Sequence, residues 1–268
     1  MAAEGLDDDG FIAREGSLGR VRQEFAPVVD SARALIAETF DRDRLHSAYL
    51  YGSIPRGTAT PAVSDLDLLL ALRREPTGTD RSDADALEAA LDASFPQVNG
   101  VGILLFSTST LLSDLERHDL GWFLACLCTP LLGDDLATDL PRYRPTTLLA
   151  RETNGDLGLA LPQWRERRAA GGTDAERESL SRIVSRRIVR TGLTLVMPRW
   201  GGWTSDLTRS AEVFGRYYPE RAAQMRRAAA IARTPTADLP ALDVLIDDLG
   251  PWLAAEYAAV HGEKAPRT

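Results

Sequence analysis

The sequence predicts an α/β (α+β) amino-terminal domain on a small sheet, followed by an all-α carboxy-terminal domain. Up to about residue 142, short apolar runs alternate with helical spacings and with Gly- or Pro-bearing turns; beyond it the apolar spacing is helical throughout. The run YLYGSIPRGTATPAVSDLDLLLAL from Tyr49 carries Asp65 and Asp67 one residue apart. In a strand, residues i and i+2 share a face, so both carboxylates stand side by side while Leu66 and Leu68 face the other way. At about 4 Å and an effective dielectric near 20, two like charges repel by roughly 4 kcal/mol, against a total stability of about 5–15 kcal/mol. A pair kept at that cost calls for a positive partner.

The elements follow in order. Residues 1–17 read as a loose acidic leader. From Leu18 to Phe40, Val21, Phe25, Val28, Ala32, Leu35 and Ile36 recur at helical spacing, with a kink or restart at Pro27. His46 to Leu50 and Asp65 to Leu72 read as strands, with a Gly- and Pro-bearing turn between them. Ser82 is the expected N-cap of a helix carrying Leu87 and Leu91. Val98 to Ser107 reads as a third strand, Thr110 to about Cys128 as a helix, and PLLGDDL as a loop. Two helical stripes come last, one of Leu180, Ile183, Val184, Ile188, Thr191 and Leu195, the other of Val244, Leu245, Leu249, Leu253 and Tyr257, interrupted by Pro251. The expected organisation is therefore a leader at 1–17, a first domain at 18–142, a helical domain at 143–262 and a tail at 263–268.

Composition narrows the function. A net charge of -8 disfavours a general nucleic-acid binder. The two cysteines, Cys126 and Cys128, cannot build a disulfide framework and read as buried small hydrophobes. MAAEGLDDDG has no apolar signal region, and the apolar runs fall short of the roughly 20 residues of a membrane span, so a cytoplasmic protein without a membrane partner is expected. Only one basic residue, Lys264, is a lysine, so phosphate contacts fall to arginines and backbone N–H groups. No Walker, Rossmann, nucleophile-elbow or HExxH pattern is present, and three scattered histidines do not suggest a zinc site. Oligomeric state is not written in these features.

One place concentrates the chemistry. A strand ends at Gly52-Ser53, Arg56-Gly57 follows, and Ser64-Asp65-Leu66-Asp67 opens the next strand. A small Gly-Ser pair lets backbone N–H groups approach an anion, and two carboxylates suit the Mg²⁺ that accompanies a phosphate. Arg56 either faces the same anion or braces the loop through a salt bridge to one of those aspartates. This pattern resembles the polymerase-beta-like nucleotidyltransferase superfamily, and the coarse layout of the chain resembles its aminoglycoside nucleotidyltransferase branch. The resemblance implies a small mixed sheet, a nucleoside triphosphate (ATP or another NTP) contacted at Gly52, Ser53, Arg56 and Ser64, and Mg²⁺ bound by the catalytic pair Asp65 and Asp67. It also implies attack of an acceptor hydroxyl on the α-phosphate with loss of pyrophosphate.

The family usually carries a third carboxylate on the next strand, where this chain has VGILLF with Gly102 at the matching position. Glu116, Glu152 and Asp156 are the nearest acids in sequence that could substitute. The expected activity is transfer of a nucleoside monophosphate, AMP from Mg-ATP, to a small hydroxylated acceptor such as an aminoglycoside-like antibiotic. Two alternatives stay open: the same transfer to tRNA or a protein side chain, and a nucleotide-binding or structural protein that has lost catalysis. An RNA acceptor would require a continuous arginine stripe; SRIVSRRIVR (Arg182, Arg186, Arg187, Arg190) could present a basic face toward phosphates, but reads more readily as the solvated side of a helix. Trp200 and Trp203 could stack on a ligand or pack in the core.

Overall fold

The computed structural model describes residues 3–264 and Pro266. The chain divides into two compact units, Ala13–Tyr143 and a second made of Met1–Ile12 with Arg144–Thr268. Half of the expected 263–268 tail, residues 265, 267 and 268, lies outside the described residues.

The first unit is built on a four-stranded mixed sheet of β1 (Leu45–Tyr51), β2 (Leu66–Leu72), β3 (Val101–Ser107) and β4 (Thr129–Gly133), in the order β3-β2-β1-β4. β1 pairs antiparallel with β2 and β4, whereas β2 and β3 are parallel. A parallel pair needs a long crossover, which α3 (Gly78–Ser94) supplies. Leu66, Leu68, Leu70 and Leu72 pack with Val28, Ala32 and Ile36 of α1 (Ala26–Thr39) and with Leu87 and Leu91 of α3. Leu69 and Ala71 pack on the opposite side with Tyr49, Leu111 and Leu124. Both faces of β2 are therefore covered, and DLDLLLAL is a nearly continuous apolar run for that reason.

Several expectations are corrected here. The helix at Leu18–Phe40 begins only at Ala26, after two short 3₁₀ turns, and Pro27 sits in its first turn, where its missing N–H costs nothing. Ser82 is not an N-cap: α3 starts four residues earlier, and the Ser82 hydroxyl donates to the Gly78 carbonyl at 3.0 Å. The cap is Thr77, in a capping box with Asp80. Burial would raise the pKa of Asp80, yet hydrogen bonds from Thr77 and Arg44 hold this fully buried carboxyl well below the usual range. The third strand starts at Val101 rather than Val98, the helix expected from Thr110 to Cys128 is two pieces, α4 (Thr108–Leu111) and α5 (Leu120–Leu127), and TPLLG is a strand rather than a loop. β4 is an edge strand, and Pro130, which cannot donate to a ladder, is tolerated there.

The second unit is helical: α6 (Thr147–Asn154), α7 (Leu157–Ala169), α8 (Asp174–Trp200), α9 (Leu207–Tyr217), α10 (Ala222–Arg233), α11 (Leu239–Asp243) and α12 (Gly250–His261). α8 packs against α6, α7, α9, α10 and α12 and buries Leu180, Val184, Ile188, Thr191 and Leu195, while Ile183 falls outside the expected stripe at 44% exposure. A π-helical segment, Val244–Leu249, joins α11 to α12 and places Pro251 in the first turn of α12. Trp203 is buried, as a packing residue is.

The leader is not loose in the residues described. The Glu4 carbonyl accepts the Trp203 N–H at 2.8 Å, its carboxylate meets Arg209 at 2.8 Å, and Leu6 bridges to Ile12. Residues 13–17 instead lie along the first unit, where Glu15 N–H donates to the Cys126 carbonyl and Ser17 N–H to the Pro55 carbonyl. Satisfied backbone groups, which composition does not report, order both halves. Among the described residues no helix is long and apolar enough to cross a membrane.

Candidate functional site

The site is assembled where β1 ends and β2 begins. Gly52 follows β1 directly and has φ +82°, ψ -150°, a conformation open to glycine; Ser53 then starts the four-residue helix α2 (Ser53–Arg56). The bend is also a close approach, because a Cβ at Gly52 would stand 2.3 Å from Asp67 Oδ2. The Asp67 carboxylate thus lies directly over the backbone of the Gly-Ser turn. The Ser53 carbonyl accepts the Thr58 N–H at 3.1 Å, which folds the loop back after Gly57.

Asp67 is the second residue of β2 and pairs with Tyr51 of β1 and Gly102 of β3. It shares a face with Leu69 and Ala71, opposite Leu66 and Leu68. Asp65 sits one residue before the strand, two before Asp67, and both are half-buried. Asp65 Oδ1 accepts a hydrogen bond from the Asn99 side-chain amide at 3.1 Å. Ser64 plays a local part: its hydroxyl accepts the Thr60 N–H at 2.9 Å and its carbonyl the Asn99 N–H at 3.0 Å, closing the turn into β2.

Arg56 ends α2, and its Nη1 lies 3.5 Å from Glu15 Oε2, with both side chains largely buried. Glu15 belongs to the segment taken for a leader. Arg20 donates to the Glu15 carbonyl at 2.8 Å, and a Cβ at Gly57 would stand 2.9 Å from the Arg20 carbonyl oxygen, so residues 15–20 press on the Arg56-Gly57 loop.

Gly102 stands in register with Asp67, and a Cβ there meets nothing within 4 Å. Room for a third side chain exists beside Asp67, and the chain leaves it open. Among the described residues no group of three His, Cys, Asp or Glu side chains gathers as a metal-binding cluster. Two of the three substitute acids, Glu152 and Asp156, have carboxylates engaged elsewhere. The Glu116 carbonyl anchors a turn, accepting the N–H groups of Asp119 and Gly121. Glu152 is 7% exposed and accepts from Arg151 Nε at 2.9 Å, and Asp156 is ion-paired with Arg187 and, at 3.4 Å, with Lys264. Arg187 of the basic stretch is thereby directed at a carboxylate of its own unit.

The donor set suits a hard divalent cation. Mg²⁺ binds through one or two carboxylates together with substrate phosphate oxygens, and Asp65 and Asp67 provide that number, Asp67 beside a turn that excludes side-chain bulk. Cysteine chemistry is absent from the site: both thiols are buried, and burial pushes Cys126 up to about 12 and Cys128 well above its ordinary value. Sequence reasoning missed Asn99 and Glu15. The Asn99-Gly100 pair, a turn dipeptide placed just before β3, was the available signal for the first.

Residues 35–97, which include the Gly52-Ser53 turn, Arg56 and both aspartates, match the model of a nucleotidyltransferase domain. No curated protein sequence matches the chain. Among solved structures, the spectinomycin adenyltransferase AAD(9) from Enterococcus faecialis, crystallised with ATP and spectinomycin, superposes with a TM-score of 0.56 at 13% identity, over 86% of this chain and 98% of that one. Residues 35–97 thus match a nucleotidyltransferase domain, and the chain has the fold of the spectinomycin adenyltransferase.

Proposed function

We propose that the chain transfers a nucleoside monophosphate, AMP from Mg-ATP, to a hydroxyl of a small polar acceptor of aminoglycoside-like chemistry and releases pyrophosphate. The observation that carries this reading is the seating of Asp67 Oδ2 over the side-chain-free Gly52, with Asp65 two residues earlier in the turn into β2. Asp65 and Asp67 hold the divalent ion. Gly52 and Ser53 offer backbone N–H groups to the triphosphate, Ser64 shapes the turn beneath it, and Arg56 positions the loop through Glu15. When bound, the ion neutralises the paired carboxylates and offsets charge building on the transferred phosphate. The acceptor oxygen forms a bond to the α-phosphorus, the bond to pyrophosphate breaks, and the acceptor proton leaves. The acidic balance of the chain favours encounter with a cationic acceptor.

A second reading, nucleotide binding without turnover, is favoured by Gly102 and by the lack of a three-acid cluster among the described residues. Losing a general base typically costs about 10²–10⁴-fold in rate, which slows such an enzyme without silencing it. One screen separates the readings: incubation with Mg²⁺, each of the four NTPs and a panel of hydroxylated acceptors, followed by pyrophosphate release. Acceptor-dependent pyrophosphate from ATP supports the transferase. Mg-ATP binding with no pyrophosphate from any combination supports the binder.

A further inference from the structure

Asp65 lies outside the strand, yet it is bracketed on three sides by one turn. The Asn99 N–H donates to the Ser64 carbonyl at 3.0 Å, the Leu66 N–H to the Gly100 carbonyl at 2.8 Å, and the Asn99 side chain to Asp65 Oδ1 at 3.1 Å. Gly100 lies beside the same oxygen, since a Cβ at that position would be in ordinary van der Waals contact with Asp65 Oδ1 at 3.7 Å. Among the described residues Asn99 is the partner of the Asp65 carboxylate. A carboxylate only accepts, so the amide nitrogen of Asn99 must face it.

The choice of partner matters. An arginine or lysine in this place would neutralise Asp65 and compete with a cation, whereas an amide fixes one oxygen and leaves the charge and the second oxygen available. Asn99 is exposed, so its bond to Asp65 contributes little to folding. A role in orientation explains the contact better than a role in stability.

We propose that Asn99 is a positioning residue that holds Asp65 by Oδ1 and presents Oδ2 to the divalent cation of the bound nucleotide. This rests on the reading of Asp65 and Asp67 as the cation-holding pair. Groups that orient a ligand from behind typically change metal affinity by about 10–100-fold when removed.

The test measures Mn²⁺ binding by electron paramagnetic resonance in the presence of α,β-methylene-ATP, together with melting in EDTA, for the wild type, Asn99→Ala and Asn99→Gln. Asn99→Ala is expected to weaken Mn²⁺ binding by about tenfold or more while the melting temperature in EDTA stays within about 2 °C. Asn99→Gln, which keeps the amide donor, is expected to recover most of the affinity. Affinity of Asn99→Ala within about twofold of wild type overturns the proposal. A loss matched by a lower melting temperature in EDTA, with no recovery in Asn99→Gln, overturns it too and makes Asn99 a turn residue. A wild type that takes up no Mn²⁺ with the nucleotide overturns the reading of the aspartate pair itself, a failure visible before any variant is made.

Discussion

At the residue scale, Asp67 and Gly52 form one device. The carboxylate occupies the space a side chain at position 52 would need, and the backbone there has a φ that costs most residues about 1–3 kcal/mol. Gly52→Ala is therefore expected to lower the melting temperature by several degrees and to abolish nucleotide-dependent stabilisation. Combining it with Asp67→Ala should restore part of the stability, because the clash with Oδ2 goes while the backbone cost remains; a double-mutant cycle in EDTA reads this coupling. Asp67→Asn tests function against structure. It removes up to about 4 kcal/mol of unscreened repulsion with Asp65, so the variant should melt at the same or a higher temperature than wild type in EDTA. With Mg²⁺ and ATP the order should invert, since ligand at about 100 times its dissociation constant adds roughly 2.7 kcal/mol only to a protein that binds it. A variant that melts lower in both conditions would mark the aspartates as structural.

At the scale of elements, the register of β2 and β3 gives position 102 its meaning. A side chain at Gly102 emerges beside Asp67 on the same face and meets no atom within 4 Å. Gly102→Asp should fold, and its third negative charge should lower the melting temperature in EDTA relative to wild type. Mg²⁺ or Mn²⁺ should reverse that order and bind more tightly than to wild type, as calorimetric titration would measure; unchanged metal affinity would place position 102 outside the cation's reach. Elements also show where local patterns mislead. Leu87 and Leu91 located α3 correctly, but the start fell at Thr77 because Asp80, buried against Arg44, completes the capping box there. β4 was hidden by Pro130, whose cost disappears at a sheet edge, and edges are a property of the assembled sheet.

For the whole molecule, each unit carries its own polar constraints. In the helical unit His261 is 6% exposed; its Nε2 lies 2.9 Å from the Leu195 carbonyl, while Nδ1 is buried without a protein partner among the described residues. Burial lowers its pKa below the ordinary 6.5. As pH falls below 6.5 the unfolded chain takes up this proton before the folded one, so the contribution is complete above that pH and is lost as pH falls through the folded value. Melting curves between about pH 7.5 and 5.5 should show this decline, and His261→Gln, which keeps a donor for the Leu195 carbonyl, should flatten it. An equal slope in the variant would assign the acid sensitivity to other groups.

What the sequence determined alone was local and periodic. The i, i+2 spacing of Asp65 and Asp67, the apolar alternation around them and the helical stripes of the second unit depend on neighbours within a few residues, and these were legible. So was the Gly52-Ser53 turn, because a small pair between two strands has few other uses. The partners of the site were not legible. Asn99 meets Asp65 from 34 positions away and Glu15 meets Arg56 from 41, and no periodicity links such residues. The same holds for the leader, which composition marked as loose and which Trp203, Arg209, Cys126 and Pro55 hold in place. Tertiary structure alone decided these contacts, since a hydrogen bond is short-ranged in space while the chain that closes it is long.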